Sequence, residues 1–232
     1  MALYAIGDLH LSIGTGKSME VFGPRWKDYM EKLKEGFQFV SPDDTVVLCG
    51  DICWGMTMDK AKDEFAFVND LPGKKIILKG NHDYWWTTAT KAYKAFAEYG
   101  FENMDILHNN CYFYGEDYAI CGTRGWFFEE EKHGGDSHDR KVMNREIMRL
   151  EASLKSAGEK PKMVFLHYPP KYKGYECPEI IQLLHKYDVE QCYYGHLHGP
   201  SHGLAMEGVW DGIEYKLVSA DRLNFQPHLI IL

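Results

Sequence analysis

Residues 74–83 read KKIILKGNHD, a short apolar run that stops abruptly at glycine, asparagine, histidine and aspartate. A run too short for a helix and closed by a turn signal predicts a strand buried on both faces. The same arrangement recurs at 3–8 (LYAIGD), 45–51 (TVVLCGD), 162–170 (KMVFLHYPP) and 191–199 (QCYYGHLHG). Between these runs, residues 25–40, 58–71, 86–99, 139–157 and 178–187 carry apolar residues at helical spacing. Strand and helix therefore alternate, which predicts an α/β architecture. In the fourth of these helices Met143, Ile147, Leu150 and Leu154 share one face, a stripe expected to pack a core.

From 105 to 128 the pattern changes to closely spaced aromatic and β-branched residues with Asn109, Asn110 and Gly115 as turn formers, and a hairpin is expected. Residues 203–232 are expected to form short strands with turns at Asp211, Gly212 and Pro227, contributing to a second, largely antiparallel sheet. The polar stretch 129–138 reads as an exposed loop close to the site.

Residues able to bind a metal stand directly after the apolar runs, where a parallel sheet presents its carboxyl ends to a crevice. Asp8 and His10 follow the first, Asp51 the second, Asn81 and His82 the third, His167 the fourth, and His196 and His198 the last. In an extended chain, residues two apart point to the same side, so Asp8 with His10 and His196 with His198 form two pairs. Asn81 and His82 are adjacent and diverge, so that one can ligate while the other reaches toward a substrate. The mixture of carboxylate, imidazole and carboxamide without thiolate suits Mn, Fe or Zn. Asp8, His10, Asp51, Asn81, His167, His196 and His198 are too many for one tetrahedral ion and suit two ions about 3.5–4 Å apart. Four positive charges against two carboxylates leave such a centre positive by about two.

The chain has 232 residues, 45% of them hydrophobic, enough to bury a sizeable core as one domain over 1–232. Its 26 basic and 34 acidic residues give a net charge of -8 with no long block of either sign, which argues against bulk nucleic-acid binding. Lys74 and Lys75 read as the polar entrance to a strand. The six cysteines form no CxxC pair, and several lie inside apolar runs, as expected of reduced thiols in a cytoplasmic protein. No segment approaches the ~18 apolar residues of a membrane helix.

With these five motifs in order, the chain resembles the calcineurin-like metallophosphoesterases over nearly its whole length. The resemblance implies a four-layer α/β sandwich of two mixed β-sheets flanked by helices, with a dinuclear site at the strand ends. It implies that Asp8, His10 and His198 hold one metal, Asn81, His167 and His196 the other, and that Asp51 bridges them. It further implies in-line attack on phosphorus by a metal-activated hydroxide, with His82 assisting the leaving oxygen. The protein-phosphatase branch continues GDxxD with Asp and Arg three and four residues after the bridging aspartate, where this chain has Trp54 and Gly55. The carboxylate expected behind His82 is missing, with Asp83 a candidate replacement, and phosphoprotein substrates are disfavoured.

Tyr84, Trp85 and Trp86 are candidates for an aromatic wall against a substrate, with helix packing as the ordinary alternative. Arg124 is a candidate for gripping a phosphate oxygen, with a surface ion pair as its alternative. Residues 14–18, GTGKS, imitate a phosphate-binding loop, but the first glycine of that motif would fall at Leu11 and the segment does not open a helix after a strand. The expected activity is hydrolysis of small phosphate mono- or diesters. The alternatives are a non-catalytic metal-binding scaffold of the same fold and a protein phosphatase.

Overall fold

The computed structural model describes residues 1–126 and 137–232. The stretch 129–138 expected to form a loop lies largely outside the described residues. The chain runs β1 (Leu3–Ile6), α1 (Tyr29–Phe37), β2 (Thr45–Leu48), α2 (Lys62–Asp70), β3 (Lys74–Ile77), α3 (Ala89–Tyr99), β4 (Met104–Ile106), β5 (Cys111–Tyr114) and β6 (Tyr118–Thr123). It continues with α4 (Ser137–Ser156), β7 (Lys162–Leu166), β8 (Lys171–Tyr172), β9 (Tyr175–Glu176), α5 (Pro178–Lys186), β10 (Gln191–Tyr194), β11 (Gly208–Trp210), β12 (Ile213–Leu217) and β13 (His228–Ile231).

Two large mixed sheets form. The first has the order β13-β1-β2-β3-β4 and the second β11-β12-β10-β7-β6-β5. The apolar runs alternate strictly: Tyr4 and Ile6 pack against α1–α3, while Leu3 and Ala5 point into the layer between the sheets with Val47, Ile76, Ile120, Met163 and Phe165. Both faces of each central strand are thus dry, which is why these strands read as unbroken apolar runs. Helices α4 and α5 cover the outer face of the second sheet, where Met143, Leu150 and Leu154 are buried and Ile147 packs at the margin. The result is a helix, sheet, sheet, helix sandwich.

The second sheet is not largely antiparallel. Its inner strands β12, β10, β7 and β6 pair in parallel, and only the edge pairs β5–β6 and β11–β12 are antiparallel. The two hairpins visible in the sequence supply those edges, with Gly115, Asp211 and Gly212 in left-handed turns. The final strand β13 returns to the first sheet, antiparallel to β1. Lys75 is also no polar entrance: it is fully buried, and its ammonium donates to the carbonyls of Leu71 and Gly73. All six cysteines are free, and among the described residues no helix is long and apolar enough to cross a membrane.

Candidate metal centre

The five candidate strand ends belong to both sheets: β1, β2 and β3 in the first, β7 and β10 in the second. Backbone contacts draw the two rims together. Gly7 bridges to Ser219 beyond β12: its amide donates to the Val218 carbonyl at 2.8 Å and its carbonyl accepts from the Ala220 amide at 2.9 Å. Beyond the strands the backbone is not extended. Asp8, His10, Asp51 and His196 have φ of 59°, 46°, 51° and 73°, a left-handed conformation that costs energy for any residue but glycine. Four strained residues at one rim, all of them candidate ligands, mark where the fold concentrates its function.

Two glycines permit the crowding. A Cβ on Gly80 would lie 2.0 Å from Asp51 Oδ1, and one on Gly195 would lie 2.3 Å from Asp8 Oδ2. Asp83 locks the base of the site: its buried carboxylate accepts the amides of Gly80, Asp51 and Ile52 at 2.7, 2.9 and 2.8 Å and the indole N–H of Trp85 at 2.9 Å. It is therefore saturated by the turn and does not stand behind His82.

The structure brings all seven candidate ligands together. His10 Nε2 faces His198 Nε2 at 3.2 Å, and His198 Nε2 lies 3.3 Å from Asp8 Oδ1. On the other side, Asn81 Oδ1 lies 2.6 Å from His167 Nε2 and 3.1 Å from His196 Nδ1. Between the two sets sits Asp51, whose Oδ2 is 3.7 Å from His10 Nε2 and 3.6 Å from His167 Nε2. Donors sharing an ion with bonds of about 2.1 Å are spaced on this scale. Asp8, His10 and His198 form one group able to hold a metal ion, and Asp8, Asp51 and His167 another.

The chemistry of these donors fits cations. Asp8 Oδ1 and His10 Nδ1 are buried without a hydrogen-bond partner of acceptable geometry, His198 Nε2 near Asp8 notwithstanding. Among the described residues no lysine or arginine side chain pairs with the carboxylates of Asp8 or Asp51. Burial, with Asp83 and Asp8 nearby, pushes Asp51 well above the usual carboxylate range. Burial and the crowding of imidazoles push His196 down to about 3 and His10 well below its ordinary value, so both rings are neutral, the form that ligates. His198 runs the other way. Burial opposes its charge, but Asp8 and Asp221 outweigh it and hold the ring at about 10.

Asp221 was not visible as a site residue. It is buried, accepts from His198 Nδ1 at 2.9 Å and from the Gly199 amide at 3.0 Å, and lies 3.2 Å from His202 Nε2. It fixes the His198 ring so that Nε2 faces the centre. The signal was present, since Asp221 closes the run KLVSAD after β12 just as Asp8 closes β1. His167 is oriented in the same manner by the Cys49 carbonyl, 3.0 Å from Nδ1.

His82 stands above the centre, half-buried. Its amide donates to Asp51 Oδ1 at 2.7 Å, its Nδ1 lies 3.2 Å from the Tyr84 hydroxyl, and its ring packs on Trp54 with centroids 4.5 Å apart. Burial, with His167 and Lys17, pushes it down to about 4. Tyr84 is exposed beside it, whereas Trp85 is not available to a substrate: it is 1% exposed, edge-on to Phe65, and its N–H is used by Asp83. Trp86 is buried too. An aromatic triplet at the start of a helix packs that helix unless its geometry exposes a ring, and only Tyr84 is so placed. Arg124 sits at the end of β6 but turns to Glu146, 3.4 Å away, which is buried and also held by Thr123 and Arg149.

No curated protein matches the chain by sequence. Among solved structures it is similar to a phosphopantetheinyl hydrolase from Mycobacterium tuberculosis, with TM-score 0.60, 16% identity, and 99% of this chain and 95% of that one covered. It is similar to a protein of unknown function from Aquifex aeolicus, with TM-score 0.56, 16% identity and coverage of 98% and 95%. It is also similar to a Thermus thermophilus protein, with TM-score 0.59, 13% identity and coverage of 99% and 97%. At such identities the likeness speaks for a shared fold. The sequence model of the calcineurin-like phosphoesterases matches residues 1–200, and the chain belongs to that family.

Proposed function

We propose that residues 1–232 form one catalytic domain, a dinuclear metal-dependent hydrolase of small phosphate mono- or diesters. Asp8, His10 and His198 hold one divalent ion and Asn81, His167 and His196 the second, drawn from Mn, Fe or Zn, with Asp51 shared. The observation that carries this reading is the position of Asp51, whose one carboxylate oxygen is within 3.7 Å of an imidazole nitrogen from each set. When bound, the ions supply a nucleophilic water of lowered pKa and neutralise phosphoryl charge.

The chain's own residues do the rest. Asp83 and the glycines hold the turn that aims Asp51. Asp221 and the Cys49 carbonyl hold His198 and His167 in the tautomer that presents Nε2. His82 stands over the centre to assist the leaving oxygen, steadied by Tyr84 and Trp54 in place of a carboxylate. His82, placed over the centre without being one of its ligands, favours this reading over a non-catalytic metal-binding scaffold, and Trp54 and Gly55 disfavour a protein phosphatase. The net charge of -8 around a positive centre favours a small ester over a polyanion. The cysteines set within apolar strands favour the cytoplasm as the compartment.

The test is metal analysis together with hydrolysis of nitrophenyl phosphate and its bis-ester in the presence of Mn. About two ions per chain and turnover of at least one ester are expected, with turnover abolished by Asp51→Asn. Absence of turnover with every divalent ion tried overturns the proposal.

A further inference from the structure

The segment GTGKS, which is not a phosphate-binding loop, is nevertheless brought to the mouth of the site. Its loop is anchored at both ends: the Gly14 amide donates to buried Glu64 at 2.9 Å, and buried Met19 receives the Trp54 indole N–H at 3.3 Å. Between these anchors the Lys17 ammonium lies 3.1 Å from the centroid of the Trp54 ring. Trp54 in turn is stacked on His10 with centroids 5.1 Å apart and packs on His82 at 4.5 Å. A cation, an indole and the two imidazoles therefore form one continuous stack.

Two consequences follow for whatever leaves at His82. The ammonium, His10 and His82 all pack on the Trp54 ring, which leaves little of it for a base or aryl ring to stack on. The first group beyond His82 is instead a positive charge. Lys17 is exposed and forms no ion pair among the described residues, unlike Arg124 and Arg149, which are both drawn to Glu146. Its remaining donors are unspent, and an ammonium on a flexible stem serves as a point charge for an anionic group. Lys17 also lines an adjoining cavity of ≈ 340 Å³, whose Glu20, Asp28 and Glu31 would repel an anion there, so an anion would meet the ammonium from the His82 side.

We infer that Lys17, carried on Trp54, is a specificity-determining residue that binds a second anionic group, phosphate or carboxylate, on the leaving portion of the substrate. The preferred substrates are thus small phosphoesters whose leaving group bears its own negative charge. This rests on the hydrolase reading above and narrows its substrate class.

The experiment compares phenyl phosphate with 4-carboxyphenyl phosphate and with the 1,4-phenylene bisphosphate, using the metal-loaded full chain. The native protein should favour both charged esters over phenyl phosphate by about tenfold in kcat/KM. In Lys17→Met the ratio should fall to about one, and Lys17→Arg should restore it. Calorimetric titration with pyrophosphate and with orthophosphate gives a readout independent of turnover, and Lys17→Met should erase any preference for pyrophosphate. Absence of preference in the native protein, or its survival in Lys17→Met, overturns the inference. Preference for the bisphosphate alone assigns the subsite to phosphate, and preference for both assigns it to anions in general. If no ester is hydrolysed at all, the hydrolase reading itself fails and takes this inference with it.

Discussion

The carboxylate of Asp83 accepts the backbone amide of Asp51 at 2.9 Å, across 32 residues of sequence. With Ile52 and Gly80 also donating to it, one buried side chain ties the end of β2 to the turn after β3. Asp83→Ala would leave three buried amides and the Trp85 indole without their acceptor. The loss should reach about 4 kcal/mol of unfolding free energy, with Asp83→Asn intermediate because the amide retains only one acceptor oxygen. Urea denaturation of the three proteins checks this, and an alanine variant within about 1 kcal/mol of the native protein would refute the role.

Asp221 acts through His198, not on a substrate. Asp221→Asn should weaken metal binding by about 10–100-fold while leaving the fold intact. Equilibrium dialysis against a graded metal buffer, read beside the far-ultraviolet circular dichroism of the apo protein, separates the two effects. Native affinity in the variant would show that the His198 ring needs no such partner.

His82 and Tyr84 should separate in magnitude. His82→Ala should lower kcat by about 10²–10⁴-fold with both metals retained. Tyr84→Phe removes one hydrogen bond to Nδ1, worth about 1 kcal/mol, and should lower kcat about fivefold. A His82 variant that has lost its metals would move that residue from proton transfer to ligation.

Asp44 sets an acid limit on stability away from the site. Burial opposes its ionisation, but the amides of Ala2 and Ser41 and the Ser41 hydroxyl outweigh that and hold its pKa below the ordinary value. The folded pKa is thus below the unfolded one, so the stabilisation is complete above the unfolded value near 3.8 and is lost as pH falls through the folded value. Asp44→Ala should cost about 2 kcal/mol at neutral pH, a difference that narrows as pH falls through the folded value. Denaturation curves of the two proteins from neutral to acid pH would show the convergence, and a constant gap would contradict it.

Much of this protein was legible before any coordinates. Apolar runs closed by polar residues announced β1, β2, β3, β7 and β10, and the stripe of Met143, Ile147, Leu150 and Leu154 announced the buried face of α4. These signals are local, because a strand buried on both faces must be apolar throughout and a half-buried helix must repeat at its own pitch. The residues able to bind metal were legible as a set: one polar residue after a strand commonly serves a turn, as Asp83 does, but the same ligand types recur after five dry strands.

What escaped the sequence depended on partners far along the chain. The pairing of β12 with β10 and of β13 with β1 is decided by which edges meet, so the second sheet came out mainly parallel inside. The expectation that Asp8 with His10, and His196 with His198, share an extended backbone failed because Asp8, His10 and His196 turn left-handed at the rim and only His198 stays extended. Trp85 reads as a candidate substrate contact and Lys75 as a polar strand entrance, yet Asp83 and the carbonyls of Leu71 and Gly73 satisfy their polar atoms inside the fold. Local pattern alone was enough to tell which strands and helix faces are apolar and which chemistry stands at the strand ends. Only the tertiary structure decided that Asp221 steadies His198 and that Lys17 stands over Trp54, because hydrophobic periodicity records burial but carries no record of which distant groups satisfy one another.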